Sequence, residues 1–227
     1  MSSRHNTSTY SQTAVSTGGG CLPRFLLPPL AVVCIGAVLM FISLGTTLTP
    51  VSAENQTNDP LLPVSSIFTP EVQYWADKIQ GWAGTAGLDP NLVATVMQIE
   101  SCGDPHALSR AGAMGLFQVM PYHFTNNEDP YEPDTNALRG LDYLRRSLEA
   151  GHGDPRLALA GYNGGIGVIN RFESNWAAET QRYTYWGSGI YAEASSGAGA
   201  SPRLQEWLAA SGVSLCRQAH IRLGISP

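Results

Sequence analysis

The chain has 227 residues, 43% of them hydrophobic and only 14% charged, with a formal net charge of −5. This length suits one medium domain with extensions, and the acidic balance excludes a nucleic-acid partner held by a basic surface. So little charge predicts a globular fold with a largely neutral exterior.

Residues 1–24, rich in Ser, Thr and Gly, read as a disordered leader. Between Arg24 and Glu54 there is no charged residue, and the run "FLLPPLAVVCIGAVLMFISLGTTL" at 25–48 is long enough to cross a bilayer. It reads either as an uncleaved membrane anchor or as a signal segment cut after "VSA" at 51–53. The leader and the apolar run are both long for a signal peptide, which favours the anchor. In both cases the chain beyond about residue 54 lies outside the cytoplasm. Cys21 and Cys34 fall in the leader and the apolar run, and Val33 breaks the small-residue pattern of a lipidation site. The exported part keeps two cysteines, Cys102 and Cys216, and an oxidising compartment favours a disulfide between them. Closing so long a loop stabilises by roughly 4–5 kcal/mol through chain entropy.

Residues 49–68 form a linker, including the Pro-, Asn- and Ser-containing "ENQTNDPLLPVSSIF" at 54–68. After it, helix starts recur with one chemistry, a capping side chain followed by proline at the first helical position. Thr69-Pro70 opens a helix to about Thr85, Asp89-Pro90 opens the next, Asp154-Pro155 opens "RLALAGYN", and Ser201-Pro202 opens "RLQEWLAA". Asp134 or Thr135 is expected to cap "NALRGLDYLRRSLEA", which carries Leu138, Leu141, Leu144 and Leu148 on one face. There is no run of alternating strands and no internal repeat, so any sheet is small and falls within residues 104–133. Residues 126–134 read as an acidic loop and 192–201 as a small-residue loop.

The helix opened by Asp89-Pro90 contains an oddity. Leu92, Val96 and Glu100 share one face, so a carboxyl points where the core should be. A helix C-terminus and partial burial both disfavour its ionised form. Such a group is either a paired structural acid or a general acid poised near neutral pH. Further along, "SRAGAMGLFQVMP" (109–121) delivers Gln118 beside Leu116, Phe117 and Met120, and "LALAGYNGGIG" (157–167) delivers Tyr162 and Asn163 followed by glycines. Neutral amides, a phenol and exposed glycines suit a carbohydrate cleft, where many hydroxyls are matched by little charge.

The ordered series "ESCGDPHALSRAGAMGLFQVMP", "TNALRGLDYL", "LALAGYNGG" and "ETQRY" resembles the soluble lytic transglycosylase family of the lysozyme-like superfamily, over about residues 70–187. The resemblance implies a mainly α (α+β lysozyme-like) fold. It would be a single helical domain at 69–190 with at most a small β-hairpin region, a loop and C-terminal helix packed on it at 191–227, and one membrane-spanning or signal segment before it. It implies cleavage of the β-1,4 bond between N-acetylmuramic acid and N-acetylglucosamine in peptidoglycan, leaving 1,6-anhydro ends. Glu100 would be the acid/base. Ser101, Gly115, Leu116, Gln118, Met120, Tyr162 and Asn163 would form the substrate-binding set, with Tyr162 hydrogen-bonding near Glu100. Gly161 stands where the family has Ala, and Cys102 where it commonly has Gly or another small residue, which fits a clamp onto the C-terminal helix through Cys216.

A goose-type hydrolytic lysozyme would use a second carboxylate to hold water, and Asp104, Glu128, Asp129, Glu132 and Asp134 are its candidates by location. A glycan-binding module without turnover is the third reading. Trp176 and Trp186 flank "ETQRY" and are the tryptophans expected nearest the site, while Glu179 reads as a structural acid. No cofactor is expected, and the five histidines show no metal-ligand spacing. The expected partners are peptidoglycan strands and, through the N-terminal segment, the membrane; the expected state is a monomer.

Overall fold

The computed structural model describes residues 63–225. The leader, the apolar segment at 25–48 and the cleavage motif lie outside the described residues. Among the described residues, no helix is long and apolar enough to cross a membrane.

Among the described residues, eight α-helices are organised around α3 (Pro90–Glu100). Pro90 supplies its first position, and the Asp89 carboxylate accepts from the Asn91 amide at 2.7 Å. Every residue from Pro90 to Gln98 is buried. A helix apolar nearly all round must be wrapped, and α1 (Pro70–Gln73), α2 (Ala76–Ala86) and α6 (Ala178–Ser195) do so. Leu92, Val96, Met97, Leu116, Phe117, Leu144, Leu159 and Ile190 make up much of the core.

The helix expected from Pro70 to Thr85 is two helices. Trp75 breaks it, with φ −97° and ψ 5°, because its indole is buried and donates to the Gly103 carbonyl at 2.9 Å. That long-range bond outweighs local helix continuity. Thr69 precedes α1 without capping it, its hydroxyl being bonded to Gln98 Oε1.

Helix α4 (Pro133–Ala150) starts as a proline-led helix, but its cap is Glu132 rather than Asp134 or Thr135. The Glu132 carboxylate accepts from the amides of both those residues. Asp134 instead receives Lys78 and the Trp82 indole. Of the four leucines expected on the buried face, Leu141 and Leu144 are buried and Leu148 packs against the core, whereas Leu138 is exposed.

Helix α5 (Pro155–Gly164) lies between α4 and α6. Gly161 has a packing reason. A Cβ there would lie 2.8 Å from Ile169 Cδ1 and 3.3 Å from Ser147 Cβ, so alanine fits only if Ile169 gives way. Helix α6 runs to Ser195, into the stretch read as a loop.

Residues 104–133 contain no named strand, only two isolated bridges, Leu108–Met114 and Met114–Val119. The chain ends in α7 (Pro202–Trp207), a π-helical turn at Leu208–Gly212 and α8 (Val213–Leu223). Three ties hold α8 to the first half of the domain: a disulfide from Cys216 to Cys102, just after α3, His220 Nδ1 at 2.9 Å from the buried Glu71 of α1, and Arg222 at 3.4 Å from Asp104.

Candidate active site

Helix α3 ends at Glu100 on the floor of a cleft of about 720 Å³. One wall comes from the segment after α3, with Ser109, Arg110, Gln118, Met120, Tyr122 and His123. The other comes from α4, α5 and the start of α6, with Gly140, Tyr143, Tyr162, Asn163 and Glu179. The size suits a small ligand or a few sugar rings.

Glu100 is half-buried. A strip of its surface opens to the cleft, while the protein packed around the carboxyl removes most of its hydration. Burial is the main cause that pushes its pKa up from 4.5 to about 8, and the negative charge of Glu179 adds to it. The Tyr183 phenol acts in the opposite sense, favouring the anion. Its hydroxyl is buried with no partner at hydrogen-bond geometry, so it lies close to the carboxyl without a formed bond. Near neutral pH Glu100 therefore holds its proton, as a general acid must.

Five of the eight residues expected in the site face the cleft: Glu100, Gln118, Met120, Tyr162 and Asn163. Gln118 is held at φ +46°, an uncommon backbone conformation for a residue with a side chain. Its amide nitrogen donates to the carbonyls of Ala107 and Gly115. Asn163 accepts from the Thr180 hydroxyl at 2.9 Å, which ties the end of α5 to α6.

Ser101, Gly115 and Leu116 lie behind the cleft, each buried. The Ser101 hydroxyl donates to the Leu116 carbonyl at 2.7 Å and accepts from the Gly103 amide, so it staples the chain after Glu100 to the segment carrying Gln118. Gly115 sits at φ +75°, and a Cβ there would lie 2.4 Å from Asn136 Nδ2. Asn136 is the hub of this wall, accepting from Phe117 N and donating to Met114 and Pro130. These three residues shape the site without lining it.

Tyr162 does not bond to Glu100. Its hydroxyl donates to the Phe117 carbonyl at 2.7 Å, bracing the backbone next to Gln118. The phenol nearest the acid is Tyr183, the last residue of "ETQRY". The motif is visible in the sequence, but no local feature of it marks Tyr183 as the partner of the acid. Glu179, read as structural, is exposed, lines the cleft and makes no ion pair among the described residues.

None of the carboxylates named for a hydrolase lines the cleft. Asp104 is buried beside Arg222, Glu128 is clamped by Arg139, Asp129 and Glu132 accept backbone amides, and Asp134 binds Lys78. Trp176 and Trp186 also fall outside it. Trp176 is buried with its indole donating to Val168, and Trp186 packs against the core. Among the described residues, the metal-ligand atoms that cluster belong to Glu71, Cys102 and Cys216, and both sulfurs are committed to the disulfide.

Cys102 has φ +51°, so the residue two after Glu100 occupies a left-handed position that glycine adopts most easily. Here a side chain is accepted there, held by its bond to Cys216 with the Cα atoms 5.0 Å apart.

A family model described as "Transglycosylase SLT domain" matches residues 77–184. The chain is 38% identical over 111 residues to the transglycosylase of Enterobacteria phage PRD1, covering 48% of this chain and 40% of that protein. It is 30% identical over 148 residues to the endo-type membrane-bound lytic murein transglycosylase A of Klebsiella pneumoniae subsp. pneumoniae, covering 55% of this chain and 70% of the relative. The membrane-bound lytic murein transglycosylase C of Mannheimia succiniciproducens is 33% identical over 112 residues, covering 39% of this chain and 31% of the relative. The matched region thus spans less than half of the phage and Mannheimia proteins and more than two thirds of the Klebsiella protein.

Proposed function

This chain belongs to the transglycosylase SLT domain family, and from that premise we propose that it cleaves the β-1,4 bond between N-acetylmuramic acid and N-acetylglucosamine in peptidoglycan. The observation that carries the reading is one carboxyl, half-buried and protonated near neutral pH, on the floor of a cleft lined by neutral amides and phenols. Glu100 donates its proton to the bridging oxygen as that bond breaks. The neighbouring N-acetyl group stabilises the sugar cation. Glu100, now a carboxylate, takes the proton of the sugar's own 6-hydroxyl as that oxygen attacks the anomeric carbon, closing a 1,6-anhydro ring. Attack from within the same sugar needs no second molecule to be positioned. The Tyr183 dipole supports this cycle by easing the ionised state that Glu100 passes through.

Hydrolysis is the second reading, favoured by Glu179, the one other carboxylate that lines the cleft among the described residues. In that scheme Glu179 would hold the attacking water. Mass spectrometry of the products from purified sacculi decides between them. Anhydro ends support the transglycosylase, and reducing ends in their place overturn it.

The same reading sets the chain to work as a monomer outside the cytoplasm, at the cell envelope. Two of the relatives are named membrane-bound, and residues 25–48 supply an apolar segment of spanning length. Retention in the membrane fraction supports an anchor. Release of a chain beginning at Glu54 supports signal cleavage.

A further inference from the structure

An aromatic series that the chemistry at Glu100 does not use crosses from one wall of the cleft to the other. Tyr122 and His123 belong to the 3₁₀ turn Pro121–His123, Tyr143 to α4 and Tyr162 to α5. Their ring centroids follow one another at 4.6, 5.1 and 5.8 Å, from Tyr122 through His123 and Tyr143 to Tyr162. All four residues line the cleft that has Glu100 on its floor. The series runs from a half-buried ring braced on Phe117 to a fully presented one, for Tyr122 is 76% exposed.

We propose that Tyr122, backed by His123 and Tyr143, is a stacking subsite for a saccharide ring of the glycan strand, away from the bond being cut. This rests on the glycan-cleaving reading above. A tyrosine that exposed adds little to the fold, and its hydroxyl makes no hydrogen bond among the described residues, so its ring is held for its face. The apolar faces of a pyranose match an aromatic ring, while the sugar's hydroxyls need the neutral amides of Gln118 and Asn163 in the same cleft.

The support behind Tyr122 suits an uncharged ligand. Burial, with the Arg146 cation adding to it and Asp142 opposing, holds His123 below the ordinary histidine range, so its ring is neutral at physiological pH. The Arg146 guanidinium lies 5.2 Å from the Tyr143 ring centroid and bonds Asp142 at 3.1 Å, which fixes Tyr143 as backing. A ring gripped here ties productive binding to strand length, because a short fragment that fills only the catalytic end cannot reach it.

The test uses the full chain and peptide-stripped glycan strands of graded length. In a Glu100→Gln background, which binds without cutting, Tyr122→Ala should weaken binding of long strands by about two- to tenfold, the range expected for one aromatic contact. Tyr122→Phe should restore it, since the ring is kept. In the active chain Tyr122→Ala should raise KM for long strands with kcat nearly unchanged, a split that a general loss of structure does not give. Equal affinity of the Tyr122→Ala and parent chains for long strands would overturn the subsite and leave the proposed reaction standing. A parent chain that neither binds nor cuts strands would overturn both.

Discussion

Replacing Glu100 by Gln keeps the size and shape of the side chain and removes its titration. General acid or base action by one group is worth about 10²–10⁴-fold, and in the proposed cycle Glu100 serves in both roles, so release of muropeptides should fall by at least about 10³-fold. The stability effect follows from the raised pKa. The carboxyl titrates at about 8 in the folded protein against an ordinary 4.5, so the folded state holds this proton to higher pH than the unfolded chain. The stability it contributes is fully present below pH 4.5 and is lost as pH rises through 8. At about 1.4 kcal/mol per pH unit, the loss across that window is on the order of 5 kcal/mol, a ceiling because part of Glu100 meets the cleft. The Gln variant has no such term. Denaturant unfolding of both proteins at pH 4 and pH 9 should show near equality at pH 4 and a clearly more stable variant at pH 9. Other titrating groups are common to both and cancel in the difference. Muropeptide release at the parent rate would refute the assignment, and a stability difference independent of pH would refute the account of the raised pKa.

The neighbours of Glu100 should move its titration in opposite directions. Tyr183→Phe removes a group that favours the anion, so the high-pH limb of kcat/KM should shift upward; Glu179→Gln removes a charge that disfavours it, so that limb should shift downward. Tyr183→Phe should also leave stability unchanged or raise it by about 1 kcal/mol, because the lost hydroxyl is buried without a partner. Changing Cys102 and Cys216 together to Ser should cost roughly 3–5 kcal/mol under oxidising conditions, and dithiothreitol should lower the melting temperature of the parent but not of the variant. Gly115→Ala adds a Cβ 2.4 Å from Asn136 Nδ2 at a left-handed position. It should destabilise by about 2–4 kcal/mol, read by thermal unfolding, and should lower activity by displacing Gln118.

Much of the scaffold is written locally. A capping side chain followed by proline acts over two or three residues, so the starts of α3, α5 and α7 are legible at Asp89, Asp154 and Ser201. The lone acid ending an apolar helix and the cysteines Cys102 and Cys216 are equally visible, since each is an exception within its own segment. The same local signals mislead where a distant partner intervenes. The Trp75 indole bonded to Gly103 splits one expected helix in two, and Lys78 and Trp82 take Asp134 away from capping α4.

What only the tertiary structure decided is which side chains meet. Sequence alone marked Glu100, Gln118, Tyr162 and Asn163, because a carboxyl or amide among apolar residues stands out wherever it sits. It did not show that Ser101, Gly115 and Leu116 stand behind the cleft, that Tyr162 braces Phe117, or that Tyr183 is the phenol beside the acid. Nor did it show that Glu179 and the Tyr122 series line the same cleft. Those facts depend on how α3, α4, α5 and α6 pack, which brings residues far apart in sequence within a few ångströms. The raised pKa of Glu100 belongs to that packing too, since it is set by how much water the assembled walls exclude from a carboxyl whose identity the sequence had already fixed.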